Sequence, residues 1–202
     1  MRLYLIRHAV TPETGKRLSG RIAGISLSPE GQTMADDLGQ NLASVPFAAI
    51  YTSPIERCQE TATAIASERQ IRPRANKAFI EADYGTWSGR TLKSLYQLKA
   101  WRSLMISASR FRFPEGETLQ EVQHRAVAGV EELAQEHKKS AVAVASHADV
   151  IRVILAHYLG TPLDLVHRLD VLPASVSIVD LDPSGSVRVP VINHVAEPGR
   201  WR

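Results

Sequence analysis

The stretch LYLIRHAV, residues 3–10, decides the fold and points to a site. Its first four residues are apolar, which is typical of a strand buried on both faces of a sheet. The run then ends on Arg7 and His8, two side chains that suit an anionic group and a proton transfer. A buried strand that stops on such a pair predicts a functional site at its carboxyl end.

Two further predicted strands end in a similar way. The segment FAAIYTS (47–53) leads into a helix with Arg57 in its first turn, and AVAVAS (141–146) is followed by His147. If these strands are parallel neighbours, two arginines and two histidines meet at one edge of the sheet, where ligands of such sheets bind. Helix N-termini reach the same edge and attract anions. The pattern predicts a site for a phosphoryl group, which each arginine can bind through charge-assisted hydrogen bonds.

Strands and helices alternate along the chain, which predicts an α/β fold with a mostly parallel central sheet and helices on both faces. Ser53 and Glu56 match a capping box, which predicts a helix start there. Residues 78–91 predict a short strand that leads into a glycine-containing loop. The C-terminal segment 175–195 predicts two antiparallel strands joined by a Pro-Ser-Gly turn.

Composition narrows the class of protein. The 202 residues suit one domain, and 44% apolar with 22% charged residues is ordinary for a globular chain. No stretch has the length of a membrane span and no secretory signal is visible, so we expect a cytoplasmic location and no membrane partner. The net charge is only +3, and the basic clusters of the chain are short, so we expect no nucleic-acid partner. Cys58 is the only cysteine, and we expect it to be a buried thiol rather than a nucleophile.

The converging side chains also predict a reaction. A neutral imidazole can attack phosphorus, and nearby guanidinium charges keep an imidazole neutral by lowering its pKa. A phosphohistidine would form and water would cleave it. The leaving oxygen needs a proton, for which Glu81 and Asp83 are both candidates. No metal-binding spacing and no glycine-rich phosphate loop is present, so we expect no metal and no other cofactor. Five further histidines lie on predicted helices or near the C-terminus, without arginine partners at a strand end, and are expected to be structural: His124, His137, His157, His167 and His194.

The same motifs, in the same order, resemble those of the histidine phosphatase superfamily, whose fold is phosphoglycerate mutase-like. The resemblance covers nearly the whole chain. It rests on LIRHAVT (5–11), YTSPIERCQETA (51–62), IEADYGTWSG (80–89), FPEGETLQEVQHRA (113–126) and AVASHADVIRVIL (143–155). It implies a three-layer α/β/α sandwich formed by a single domain over residues 1–202, with a small cap segment around residues 90–115.

The resemblance implies a role for each residue of the site. His8 would be the nucleophile that carries the phosphoryl group. Glu81, rather than Asp83, would donate the proton and later act as the base for water. The phosphoryl oxygens would be bound and polarised by Arg7, Arg57 and His147. The family pattern needs no metal.

Other positions match the family less closely. Thr14, Ser19 and Gly20 correspond to positions beside the substrate, although Thr14 stands where asparagine is more usual. Ala9 and Ala148 stand where the family usually has glycine after each histidine. An alanine would be strained there if the backbone needed a positive φ, and would cost only space otherwise.

The expected function is that of a phosphomonoesterase acting on a small phosphorylated metabolite. A phosphoglycerate mutase is the alternative, although the chain is short and its cap insert is modest. A non-catalytic phosphate-binding relative is a third reading, supported by the two alanines. Two readings remain for the cap residues Trp101, Arg102, Arg110 and Arg112, which either line the site or coat an exposed helix. The C-terminal hairpin offers an edge for a homodimer.

Overall fold

A computed structural model describes residues 1–67 and 69–195 of the chain. Within these residues, six strands form one sheet at the centre of the molecule. The strands are β1 (Arg2–Arg7), β2 (Phe47–Thr52), β3 (Arg74–Ala75), β4 (Ala141–Ser146), β5 (Val176–Leu181) and β6 (Val187–His194).

Helices connect these strands. The α-helices are α1 (Pro29–Asn41), α2 (Glu56–Ala66), α3 (Leu92–Tyr96), α4 (Lys99–Ile106), α5 (Leu119–Glu136) and α6 (Ala148–Leu159). Short 3-10 turns cover Lys77–Phe79, Gly85–Trp87, Ala108–Arg110 and Leu163–Arg168. In the part of the chain that the structure describes, no helix combines the length and apolar character needed to cross a membrane.

The sheet is mostly parallel, as the alternation of elements predicts. Its order is β3-β2-β4-β1-β5-β6. The first four strands in this order run parallel, β5 runs antiparallel to β1, and β5 and β6 form the predicted hairpin. In the β1–β4 register, Arg7 lies opposite Ser146. His8 and His147 therefore leave the sheet side by side.

Both faces of the sheet are covered. In β1, Leu3 and Leu5 belong to the apolar core on the side of α5 and α6, whereas Tyr4 and Ile6 belong to the core on the side of α1 and α2. This alternation follows from the pleat of the strand, which sends successive side chains to opposite faces. The architecture is a three-layer α/β/α sandwich, as expected.

The predicted capping box at Ser53 and Glu56 is wrong. Helix α2 begins at Glu56 with Ile55 as its N-cap, and no side chain caps it. The Ser53 hydroxyl accepts from the backbone N–H of Ile55 at 3.3 Å and contacts the ring of His147 at 2.8 Å. The serine is therefore used by a tertiary contact, which its local sequence does not reveal.

The strand predicted from residue 78 is also wrong. Strand β3 has only two residues, and the chain then turns through Lys77–Phe79. The Asn76 side chain accepts from the N–H of Ala78 at 2.8 Å, which stabilises the turn. The Ser146 hydroxyl donates to the carbonyl of Phe79 at 2.8 Å. These bonds direct the following loop, which contains Glu81, to the ends of the central strands.

Candidate active site

The carboxyl ends of β1, β2 and β4 border a cavity of about 360 Å³. Seven of the eight expected site residues line it, namely Arg7, His8, Thr14, Ser19, Gly20, Arg57 and Glu81. The eighth, His147, is fully buried, and the centroid of its ring lies 5.4 Å from that of His8. The structure thus brings together the side chains that the strand ends indicate.

The geometry around His8 defines its tautomer. Nδ1 lies 2.7 Å from the carbonyl oxygen of Ala9, and Arg57 Nε lies 3.2 Å from Nε2. Because a guanidinium only donates hydrogen bonds, Nε2 must be the acceptor and Nδ1 carries the proton. Burial, then the charges of Arg57 and Arg7, lower the pKa of His8 well below its usual value. His8 is therefore a neutral imidazole whose unprotonated Nε2 accepts a hydrogen bond from Arg57.

The two arginines keep donors free for an anion. Arg7 Nη1 donates to the carbonyl of Val171 at 2.7 Å, and Arg57 Nη2 donates to that of Gly20 at 2.8 Å. In contrast, Arg7 Nε and Arg57 Nη1 are buried and have no hydrogen-bond partner among the described residues. Buried donors without partners are rare in folded proteins. Two of them on cations beside His8 form a site suited to an oxyanion.

The ring of His147 is held from both sides. Arg57 Nη2 lies 3.1 Å from Nδ1, and the Ser53 hydroxyl lies 2.8 Å from Nε2. Since Arg57 can only donate, Nε2 carries the proton and donates to Ser53. Burial, then the charge of Arg57, lower the pKa of His147 well below its usual value. Ser53 was not among the expected site residues.

Cys58 lies against the same ring without being reactive. Its sulfur is 3.4 Å from His147 Nε2, and the thiol donates to the carbonyl of Ser146 at 3.5 Å. Burial raises the pKa of Cys58 above its usual range. A thiol that stays protonated is not a nucleophile, in agreement with the expectation from the sequence.

Glu81 is a buried carboxyl group whose loop is fixed by cations. Its backbone carbonyl accepts from Arg21 Nε at 2.8 Å and from Arg125 Nη2 at 3.2 Å. Its carboxyl oxygen Oε2 lies 3.7 Å from His147 Nδ1. Burial, then the negative charge of Asp149, raise the pKa of Glu81 to about 7. A large fraction of Glu81 is therefore protonated at neutral pH and can donate a proton.

The other candidate, Asp83, has a different setting. Its carboxylate accepts from the N–H of Gly85 at 2.9 Å and lies 3.5 Å from Arg21 Nη1. It does not belong to the lining of the cavity. The geometry favours Glu81 as the acid.

A buried group that the sequence did not single out lies next to Glu81. Asp149 accepts from the Tyr84 hydroxyl at 2.7 Å and from Arg152 Nη1 at 2.9 Å. Burial alone would raise the pKa of Asp149, but Arg152 and the bond from Tyr84 hold it below its usual value. Asp149 lies in the first turn of α6, two residues after His147. An acidic residue so close to a strand end that carries a candidate site histidine is the sequence feature that could have indicated it.

The remaining expected positions have defined surroundings. Thr14 Oγ1 accepts from the N–H of Thr11 at 2.8 Å, which closes the loop after β1. Gly20 has a φ of +55°, and a Cβ there would lie 2.9 Å from the Ser88 hydroxyl, so glycine is required. Neither Ala9 nor Ala148 has a positive φ. Each alanine therefore adds a methyl group near the site without straining the backbone.

The cap segment contributes apolar rather than basic side chains. Trp101 lines the cavity, whereas Arg102, Arg110 and Arg112 are exposed and do not belong to the lining. Arg112 pairs instead with Glu121 at 2.6 Å. The sequence left open whether these three arginines line the site or coat an exposed surface. The structure agrees with the exposed surface.

His167, which was expected to be structural, lies at the cavity. It lines the cavity, and its buried Nε2 has no hydrogen-bond partner among the described residues. Burial lowers its pKa, so the ring is neutral. It reaches the site from the turn Leu163–Arg168, far along the chain from the other site residues, which is why no local pattern indicates it. Within residues 1–67 and 69–195, no cluster of three or more His, Cys, Asp or Glu side chains could hold a metal ion.

A neutral imidazole beside a cationic oxyanion site and a buried acid is typical of proteins that transfer phosphoryl groups, and comparison identifies the family. The chain belongs to the histidine phosphatase superfamily (branch 1), whose family model matches residues 3–193. It is 28% identical to phosphoserine phosphatase 1 of Hydrogenobacter thermophilus, over 93% of this chain and 90% of that protein. It is also 28% identical to a probable phosphoglycerate mutase, GpmB, of Salmonella arizonae, over 91% and 86% of the two chains. The solved structure of YhfR from Bacillus stearothermophilus superposes with a TM-score of 0.87 at 29% identity, covering 96% of this chain and 98% of that one.

Proposed function

We propose that this protein hydrolyses phosphoric monoesters of small molecules through a phosphohistidine on His8. One observation carries the proposal: the unprotonated Nε2 of His8 lies beside buried donors of Arg7 and Arg57 that have no partner. Membership of the superfamily supports the same reaction, as does the similarity to phosphoserine phosphatase 1.

In the first step, the lone pair of His8 Nε2 attacks phosphorus and the ester P–O bond breaks. Arg7 and Arg57 bind the phosphoryl oxygens, and their positive charge stabilises the negative charge that gathers there. Glu81 in its protonated form gives its proton to the leaving oxygen. The products of this step are a free alcohol, a Glu81 carboxylate and a phosphohistidine.

In the second step, water attacks the phosphohistidine. The Glu81 carboxylate takes a proton from the water as the new P–O bond forms, and the P–N bond breaks. The electron pair of that bond returns to His8 Nε2, and inorganic phosphate leaves. His147 supports both steps by contacting Arg57, one of the two arginines that bind the phosphoryl oxygens, at 3.1 Å. We propose that residues 90–115 act as a cap over this site.

The test is turnover of 4-nitrophenyl phosphate, without added metal, by the protein and by His8→Ala. We expect phosphate release by the protein and a loss of at least about a thousandfold in the variant, since His8 carries the nitrogen that attacks phosphorus. Rapid quench in alkaline detergent with a ³²P-labelled ester should also yield a phosphoprotein that is stable in alkali and labile in acid, only when His8 is present. Equal turnover by both proteins would remove His8 from the mechanism. Tight phosphate binding without turnover would favour the non-catalytic reading.

A phosphoglycerate mutase is the second candidate, favoured by the similarity to GpmB. A mutase must return the phosphoryl group to an organic acceptor before water reaches it. Incubation with 3-phosphoglycerate and a bisphosphoglycerate primer separates the two reactions. Free phosphate supports the hydrolase, and 2-phosphoglycerate formed without free phosphate supports the mutase.

The setting of the reaction is part of the proposal. We propose a cytoplasmic location, supported by a single cysteine, which is usual where thiols stay reduced. We also propose that the partner is a small phosphorylated substrate, with no nucleic acid and no membrane. A homodimer through the edge strand β6 is testable by light scattering.

A further inference from the structure

One wall of the cavity is apolar and comes from a single stretch of chain. Its side chains belong to α3, to α4 and to the segment just after α4: Leu92, Tyr96, Trp101, Leu104, Met105 and Phe113. None of them is charged. The same cavity contains the phosphoryl site at the strand ends, so a group that departs from phosphorus can lie against these side chains.

Part of this wall is exposed although it is apolar. Tyr96 is 55% exposed and Met105 is 41% exposed. The ring of Trp101 stacks on buried Trp87 at 6.0 Å and meets the edge of Tyr96 at 4.9 Å, so its orientation is fixed. Exposed aromatic and thioether groups at a functional cavity mark a surface that gains free energy when an apolar ligand covers it.

The charged side chains next to this wall are already paired. Arg17 Nε contacts Glu13 at 3.2 Å, and its Nη1 donates to the carbonyl of Gly89. Arg152 Nη1 contacts Asp149 at 2.9 Å, and its Nε donates to the carbonyl of Leu169. These bonds occupy part of the donor set of each guanidinium, so they leave fewer donors for a charged leaving group.

The size of the cavity limits the ligand further. Its volume of about 360 Å³ is near the small end of the range for ligand sites, about 300–1,000 Å³. The unpartnered Nε2 of His167 offers one contact for a neutral polar group. The space therefore suits one phosphoryl group and one compact ring.

From these observations we propose that the preferred substrates are phosphate esters of flat, uncharged, largely apolar alcohols, whose ring lies against Tyr96, Trp101 and Met105. This inference rests on the proposed phosphomonoesterase function and narrows it to a substrate class. It also separates this chain from a phosphoserine-specific enzyme, because serine presents an ammonium and a carboxylate to this wall.

The first experiment compares three esters of primary alcohols, which have similar intrinsic reactivity: benzyl phosphate, glycerol 3-phosphate and O-phosphoserine. We expect kcat/KM for benzyl phosphate to exceed the other two values by at least about tenfold, the effect of burying part of one ring. A ratio of one or less would overturn the inference.

Variants then assign the preference to the wall. Tyr96→Ala and Met105→Ala each remove an exposed side chain, so their folding is not at risk. Each should lower the ratio of benzyl phosphate to glycerol 3-phosphate by about three- to tenfold. Ile106→Ala is the matched control, since Ile106 follows Met105 in α4, is 75% exposed and lies outside the lining. An unchanged ratio in both wall variants, or an equal change in the control, would contradict the proposal.

A binding measurement separates this inference from the proposed function. Benzylphosphonate and methylphosphonate cannot be hydrolysed at the P–C bond, and their affinities can be compared by calorimetry. Tighter binding of benzylphosphonate that is weakened by Tyr96→Ala supports the apolar wall even if turnover is absent, in which case only the proposed function fails. Equal affinity of the two phosphonates overturns the substrate class even if the protein is an active phosphatase.

Discussion

At the scale of single residues, the site depends on which nitrogen of each imidazole carries the proton. Arg57 determines both tautomers, because its guanidinium donates to His8 through Nε and contacts His147 through Nη2. The opposite nitrogens carry the protons: His8 Nδ1 donates a hydrogen bond to the Ala9 carbonyl, and His147 Nε2 donates one to the Ser53 hydroxyl. A serine hydroxyl can also reverse its role and donate, so it can support the His147 tautomer that would donate to a bound phosphoryl oxygen.

Ser53→Ala should therefore lower kcat/KM for 4-nitrophenyl phosphate by about tenfold, the value of one hydrogen bond. Ser53→Thr retains the hydroxyl and should restore much of the loss. Cys58→Ala is the matched control, because its sulfur touches the same ring but forms only a weak hydrogen bond. A loss as large in Cys58→Ala would show that packing around His147 matters and that the hydroxyl does not.

The raised pKa of Glu81 predicts how kcat/KM depends on pH. Its pKa is raised to about 7, and only the protonated form can supply a proton to the leaving oxygen. The value of kcat/KM for an alkyl phosphate should consequently fall as the pH rises through about 7. Glu81→Gln should lower kcat/KM on an alkyl phosphate by about 10²- to 10⁴-fold. Its loss on 4-nitrophenyl phosphate should be far smaller, because that leaving group departs without a proton. Equal losses on both substrates would argue against Glu81 as the acid.

At the scale of elements, the site depends on the close contact of α5 with the turn Lys77–Phe79. Gly129 makes this contact possible, because a Cβ there would lie 2.5 Å from the methyl group of Ala78 and 3.3 Å from the ring of Phe79. The turn is the segment that leads directly to Glu81. Packing of a helix remote from the cavity thus decides where the acid lies.

Gly129→Ala should destabilise the protein by about 1–3 kcal/mol, the usual cost of overpacking. It should also lower kcat/KM on an alkyl phosphate more than on 4-nitrophenyl phosphate, because a shifted turn moves the acid that protonates the leaving oxygen. Urea unfolding and initial rates on the two substrates measure both effects. Glu132→Ala, an exposed change in the same helix, is the control and should alter neither. Unchanged stability in Gly129→Ala would contradict the close packing of α5.

At the scale of the whole molecule, a buried site of titrating groups makes folding depend on pH. His8, His147 and His167 have lowered pKa values in the folded protein, chiefly because they are buried. The unfolded chain binds protons at the ordinary histidine pKa of about 6.5, so unfolding takes up protons below that pH. Glu81 acts in the opposite direction, because its raised pKa lets the folded state hold a proton that the unfolded state releases.

The free energy of unfolding should fall as the pH drops from 7 to 5.5, since three histidines outweigh one glutamate. Each histidine contributes up to about 1.4 kcal/mol per pH unit well below its unfolded pKa. Glu81→Gln removes the opposing contribution and should make the decline steeper. Urea unfolding at pH 7, 6.2 and 5.5 measures both slopes. A slope that stays the same in the variant would show that Glu81 titrates alike in the folded and unfolded states.

Much of the architecture was readable from the chain alone, because apolar runs and helix signals are local. The central strands, the terminal hairpin and the Arg7, His8, Arg57 and His147 positions follow from such patterns. The strand predicted from residue 78 and the capping box at Ser53 failed for a shared reason. In both places, a side chain or turn is held by bonds to residues distant in the sequence.

The order of the motifs in the sequence by itself determined the family, the layered fold and the two pairs of cationic and imidazole side chains. Only the tertiary structure decided the protonation of those imidazoles, the placement of Asp149, Ser53 and His167 near them, and the apolar character of one wall of the cavity. The physical reason is that pKa values, tautomers and cavity walls depend on burial and on neighbours in space. Those neighbours come from strands and turns that the chain brings together only on folding.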